Sequence, residues 1–173
     1  MIHKTLASIT TDKIIAIVGL DEIDDVEVTD KEHSVLISIT DPDSDQHISD
    51  EVRSRYSEVL DVQFWDVITP TAKTPIIPDE IARKIRRFIL NNRDKRFAFH
   101  CHAGVSRSAA CAQAMECLVE FDGDIYAYQT SHTSEIAKYW RYHPNYTVFL
   151  KVVGEEIIPN NSMFTRSQYP DIV

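Results

Sequence analysis

The chain has 173 residues, a formal charge of −9, and 43% hydrophobic and 26% charged residues. That length favours a single domain with a substantial core, read here as spanning residues 1–173. The acidic balance argues against nucleic-acid binding through a generally basic surface. The three cysteines make no disulfide framework, and no stretch reads as a membrane span or a secretory leader.

Taken in order, Ile2 to Thr10 alternates weakly and reads as a first strand. Ile14, Ile15, Ile17 and Val18 follow Thr11 and Asp12, and a short helix capped by Thr11 is preferred to a strand. Asp21 to Lys31 is acidic and reads as solvated loop. Ser34 to Thr40 is the clearest early strand, apolar and β-branched. The turn formers Asp41-Pro42-Asp43-Ser44-Asp45 end it. Asp50 to Ser57 is polar, and surface ion pairing is the simplest role for Arg53 and Arg55. Glu58 to Phe64 reads as another strand, followed by Trp65-Asp66-Val67-Ile68 and a loop stiffened by Pro70, Pro75 and Pro78.

Asp79 to Leu90 is an amphipathic helix. Ile81, Ala82, Ile85, Phe88 and Ile89 share one face, and Arg83, Lys84, Arg86 and Arg87 lie away from it. Arg96-Phe97-Ala98-Phe99 has the pattern of a buried strand. Ser108 to Phe121 is alanine-rich, without Gly or Pro, and reads as a helix apolar on most faces. Asp122-Gly123-Asp124 is a turn, and Ser134 to Tyr139 a short helix. A last helix runs from about Asn145 to Val153 and is ended by Gly154. Residues 159–173 read as a surface tail. Strands alternating with helices predict an α/β domain: three layers, with a mainly parallel central sheet flanked by helices.

The organising stretch is His100-Cys101-His102-Ala103-Gly104-Val105-Ser106-Arg107-Ser108, a turn from a buried strand into a buried helix. Helix N-termini carry free N–H groups and roughly half a positive charge, which makes them anion sites. A thiol placed there loses its proton readily and becomes a nucleophile. Gly104 permits backbone angles closed to other residues. Arg107 has a planar fork suited to two phosphate oxygens, and Ser108 can donate a hydrogen bond to the sulfur. His100 is a candidate to fix the loop. The trio His100, Cys101 and His102 cannot converge on one metal ion, because neighbouring residues of a strand point to opposite faces. Cys111 and Cys117 read as buried thiols on the central helix. The reading requires that solvent can reach the Cys101 sulfur and that the amides around it are not already bonded.

His-Cys-x-x-Gly-x-x-Arg-Ser resembles the signature of the cysteine-based protein tyrosine and dual-specificity phosphatases, with each position filled here by His100, Cys101, Gly104, Arg107 and Ser108. The resemblance implies the phosphotyrosine protein phosphatase-like fold and hydrolysis of phosphotyrosine and phosphoserine/threonine through a cysteinyl-phosphate. It implies oxygen ligands from the loop residues His102, Ala103, Gly104, Val105 and Ser106 together with Arg107. It also implies an upstream aspartic acid on a loop as proton donor. The candidates are Asp61, inside a predicted strand, and Asp66, at the start of the proline-containing loop. Asp66 is preferred, since Phe-Trp-Asp-Val and its distance from Cys101 are similar to those of small bacterial and phage members. The Tyr-His-Pro-Asn run at 142–145 also resembles such members. Asn145 is thus a candidate brace for the loop, with helix capping as its simpler role.

No metal or other cofactor is expected, because the arginine and backbone dipoles supply the neutralisation. A pH–rate profile with its optimum on the acidic side of neutral follows from a thiolate paired with a protonated aspartate. The expected partner is a phosphoprotein or phosphopeptide, with neither nucleic acid nor membrane involved, in a reducing cytosol. Alternatives are a phosphatase for a non-protein phosphate (phosphoinositide, nucleotide or RNA 5′-phosphate) and a non-catalytic phospho-binding protein.

Overall fold

The computed structural model describes residues 12–131 and 142–155. The strand expected at Ile2–Thr10, the helix expected at Ser134–Tyr139 and the tail 159–173 lie outside them. Four strands, β1 Ile14–Val18, β2 Ser34–Thr40, β3 Glu58–Gln63 and β4 Arg96–His100, form one sheet in the order β1-β4-β2-β3. Every pairing is parallel. Among the described residues the helices are α1 Asp50–Ser54, α2 Asp79–Asn91, α3 Arg107–Glu120, α4 Ile125–Ser131 and α5 Tyr146–Val153, with a 3-10 turn at Ile23–Asp25.

The short helix expected at Ile14–Val18 is instead strand β1. All five of its residues are buried, and it pairs with β4 from Ile14–Phe97 to Val18–His100. An apolar run this short fits a buried strand or a helix turn equally well by pattern. The open hydrogen bonds along one side of β4 decide between them. Two further differences are local. The polar stretch after Ser49 contains α1, capped by the Ser49 hydroxyl accepting from Val52 N at 3.2 Å, and α4 follows the Asp122–Asp124 turn. Neither carries an apolar stripe that would announce it.

The core lies on both sides of the sheet. Phe97 and Phe99 of β4 point into the larger cluster with Ile85 and Ile89 of α2, Met115 of α3 and Phe149 of α5. They stack with ring centroids 5.8 Å apart, and full burial of such a side chain contributes roughly 1.5–3 kcal/mol. Ala98, between them, faces the other side with Leu36, Val52, Tyr56 and Ile23. Helix α3 is buried on almost every face, and its Ala109, Ala110, Ala112 and Ala114 let it lie close against its neighbours. Among the described residues, no helix is long and apolar enough to cross a membrane.

One consequence of all-parallel pairing matters most. The carboxyl ends of β1, β4, β2 and β3 fall on the same edge of the sheet, so the segments that follow them meet there.

Candidate active site

Cys101 directly follows β4, and Arg107 opens α3. The loop between them is held by its carbonyl groups. His102 O accepts from Leu20 N at 3.1 Å, Val105 O from His143 N at 2.9 Å, and Ser106 O from Asn145 N at 3.3 Å. Among the described residues, none of the N–H groups of residues 102–107 donates a hydrogen bond. The helix end is equally open: no side chain caps α3, and no acidic residue stands in its first turn. The result is a curved run of free donors at the positive end of a buried helix, which is the geometry of an anion site.

Gly104 makes the curve feasible. Its φ is +71°, and a Cβ there would lie 2.2 Å from Gly19 N and 2.4 Å from Val18 C. The loop is therefore pressed onto the end of β1, where only a hydrogen fits.

At the floor, Cys101 Sγ lies 3.1 Å from Ser108 Oγ. Cys101 is 2% exposed, which runs against the expectation that solvent reaches its sulfur: the thiol is buried against Ser108 of α3. Burial pushes the Cys117 thiol up to about 12, and pushes Cys111 further in the same direction. Both stay protonated near neutral pH.

Arg107 is 3% exposed. Its Nη1 donates to Asp41 Oδ1 and to the Phe64 carbonyl, each at 2.6 Å, and its guanidinium carbon lies 5.9 Å from the Phe64 ring centroid. Nε is buried and has no partner. One corner of the fork is thus tied back, while the Nε donor is left unpaired. Leaving such a donor unsatisfied costs about 1–3 kcal/mol.

Asp66 is exposed and linked to the loop. Its Oδ1 accepts from Ser106 Oγ and from Asn145 Nδ2, both at 2.8 Å, and no bond is made to Oδ2. Asn145 also donates to the Val67 carbonyl at 3.2 Å, while its Oδ1 accepts from Val148 N and caps α5. Its two candidate roles, brace and cap, coexist in one buried side chain. Asp61 is engaged elsewhere: Arg53 grips it with two bonds of 2.6 and 2.8 Å on the outside of β3. Arg55 likewise pairs with Glu51 at 3.0 Å, so neither arginine is free for a ligand.

His100 bonds through Nδ1 to Ser38 Oγ at 3.1 Å, which ties β4 to β2 rather than bracing the loop. The register sets this contact, since Ser38 and His100 are Cα partners. Burial, with a smaller contribution from the Arg107 charge, depresses its pKa to about 4, so the ring is neutral at pH 7.

Sequence reasoning did not single out Asp41 or Ser38. Asp41 looks like one more turn carboxylate after a strand. Its role depends on β2 lying beside β4, and no local signal carries that adjacency.

The fold and the site together define a class of architecture: an α/β domain whose Cys-x5-Arg loop closes the carboxyl edge of a parallel sheet. No protein-family model matches the chain, and no curated protein matches it. Among solved structures, it is similar to Tk-PTP in the active form, at 20% identity over 83% of this chain and 92% of that one, with a TM-score of 0.48. It is also similar to the human tyrosine phosphatase-like serine/threonine/tyrosine-interacting protein, at 20% identity over 69% of this chain and 73% of that one, with a TM-score of 0.45.

Proposed function

We propose that the chain is a cysteine-dependent phosphatase of phosphoproteins, acting on phosphotyrosine and on phosphoserine/threonine, in the protein tyrosine and dual-specificity phosphatase superfamily. One observation carries the reading. The N–H groups of residues 102–107 are unbonded around Cys101, next to an arginine that is held at one corner and whose buried Nε has no partner. Such a socket suits a tetrahedral dianion.

The thiolate of Cys101 attacks phosphorus. The S–P bond forms as the P–O bond to the substrate breaks, and Asp66 gives its proton to the departing oxygen. Oδ2 is the suitable bearer of that proton, because both of the protein's bonds fall on Oδ1. The free amides and the Arg107 edge hold the equatorial oxygens, the electrostatic positioning on which phosphoryl transfer depends. Water then attacks phosphorus, Asp66 takes its proton, and the S–P bond breaks. Ser108 supports the sulfur as it leaves, through the hydroxyl 3.1 Å away. Arg107 and the helix end supply the neutralising charge, so the steps call for no metal.

The test is hydrolysis of nitrophenyl phosphate and of phosphopeptides by the wild type and Cys101→Ser. Turnover should vanish in the variant while inorganic phosphate still binds. Equal rates for the two proteins would exclude the cysteinyl-phosphate. Phosphate binding without turnover in the wild type would leave a phospho-binding protein instead of an enzyme.

A further inference from the structure

Ser106 stands where a helix cap is expected and does not cap. It is the residue before α3. A serine at that position normally sits in extended backbone and turns its oxygen back to accept from an N–H of the first turn. Its φ and ψ here are −117° and −77°, outside the extended region, and its side chain makes no cap bond. The hydroxyl reaches outward instead and donates to Asp66 Oδ1 at 2.8 Å, across 40 positions of sequence. The start of α3 is left uncapped, and the cysteine loop grips a carboxyl group from another segment.

The grip is closed by a third residue. Asn145 Nδ2 also donates to Asp66 Oδ1, at 2.8 Å, and Asn145 N donates to the Ser106 carbonyl at 3.3 Å. Ser106, Asp66 and Asn145 thus form a ring of bonds between the cysteine loop, the segment after β3 and the start of α5. Every member of the ring belongs to the chain, so the carboxyl group is held beside the loop before a substrate arrives. Ser106 faces the reaction twice. Its N–H is one of the free donors around Cys101, and its hydroxyl fixes Asp66 next to them. The spacing between bound anion and proton donor is therefore set within one residue.

We propose that Ser106 is a positioning residue for proton transfer: its hydroxyl holds Asp66 Oδ1 and so keeps Oδ2, with its proton, beside the leaving group. The inference rests on the phosphatase reading and deepens it. As the S–P bond forms, the P–O bond breaks and its electron pair stays on the departing oxygen, which takes the proton from Oδ2. Without the hydroxyl, Asn145 alone restrains the carboxyl group, and the proton is offered from a wider spread of positions.

The experiment is a double-mutant cycle read through the leaving group. It measures the ratio of kcat/KM for phenyl phosphate to kcat/KM for nitrophenyl phosphate in the wild type, Ser106→Ala, Asp66→Ala and the double variant. A positioned proton donor contributes about 10²–10⁴ in rate. Ser106→Ala removes one of the two side chains that restrain it, so the ratio should fall by about tenfold. In the Asp66→Ala background the same change should not move the ratio, because the group that Ser106 holds is gone. Ser106→Thr, which keeps a hydroxyl, should recover most of the loss. Inhibition by inorganic phosphate reads the anion socket separately. Slower turnover and weaker phosphate inhibition with an unchanged ratio would mean that Ser106 serves the anion alone, and would overturn the proposal. An equal fall of the ratio with and without Asp66 would do the same, as would a threonine that restores nothing. A second readout needs no turnover. Backbone NMR order parameters of residues 66–68 should fall from a rigid value of about 0.85 towards about 0.6 in Ser106→Ala, and unchanged values would refute the hold of Ser106 on Asp66. A wild type inert towards nitrophenyl phosphate would sink the phosphatase reading, while the relaxation data would still decide that hold.

Discussion

Asp41→Asn tests the proposal that Asp41 positions the buried Arg107 as a phosphate ligand. The change removes a charge and keeps the volume. Arg107 is 3% exposed, and the two bonds from its Nη1 go to Asp41 and the Phe64 carbonyl at 2.6 Å each. Breaking a fully buried pair costs about 3–5 kcal/mol. Here the Asp41 side chain keeps 33% of its surface in water, and asparagine still offers an acceptor. The discounted loss is therefore about 2 kcal/mol. For a chain of this length each kcal/mol lowers Tm by about 2–4 °C, so thermal unfolding should show a drop of about 4–8 °C. The effect on rate should be larger than the effect on stability. With the guanidinium no longer pinned, its edge loses its fixed position over the transferred oxygens, and losing one such donor typically costs about 10²–10³ in kcat. Steady-state hydrolysis of nitrophenyl phosphate at 25 °C, with inorganic phosphate as competitive inhibitor, should show both a fall of about a hundredfold and weaker inhibition. A variant with wild-type Tm, kcat and phosphate inhibition would refute the claim that Asp41 positions Arg107.

Three further outcomes are expected. Gly104→Ala meets two penalties, a left-handed φ of +71° and a Cβ 2.2 Å from Gly19 N. Together these cost about 2–5 kcal/mol, so Tm should fall by about 5 °C or more, with loss of phosphate binding; near-wild-type behaviour in calorimetry would show that the loop does not press on β1. His100 gives a pH signature. Its folded pKa of about 4 lies below the unfolded value near 6.5, so the unfolded chain binds the proton first as pH falls. Stability is then fully present above about pH 6.5 and declines by up to about 3 kcal/mol as pH falls towards 4; His100→Asn should flatten that part of a Tm-against-pH curve, and an unchanged slope would contradict the assignment. Asp66→Ala should slow phenyl phosphate far more than nitrophenyl phosphate, since only the poorer leaving group needs the proton, whereas Asp61→Asn should slow neither; equal slowing of both substrates by Asp66→Ala would remove it as the acid.

What the amino-acid sequence settled alone is local in the chain. The strand β4, the turn with Gly104 and the helix α3 are contiguous, so periodicity and residue type define them without knowledge of any partner. Strands β2 and β3, helix α2 and the ends of α5 were legible for the same reason: alternation, an apolar stripe, or the pair Asn145 and Gly154, whose cap bond and φ of +114° are found at the two ends of α5. Tertiary structure decided the rest. Five buried residues at 14–18 became a strand because β4 had an open side. Asp41 meets Arg107 across 66 positions, and Ser38 meets His100 across 62. Asp66 comes to lie on Ser106 across 40. Such contacts follow from strand order, and strand order is set by which apolar faces bury best together, a sum over the whole core that no short window of sequence contains.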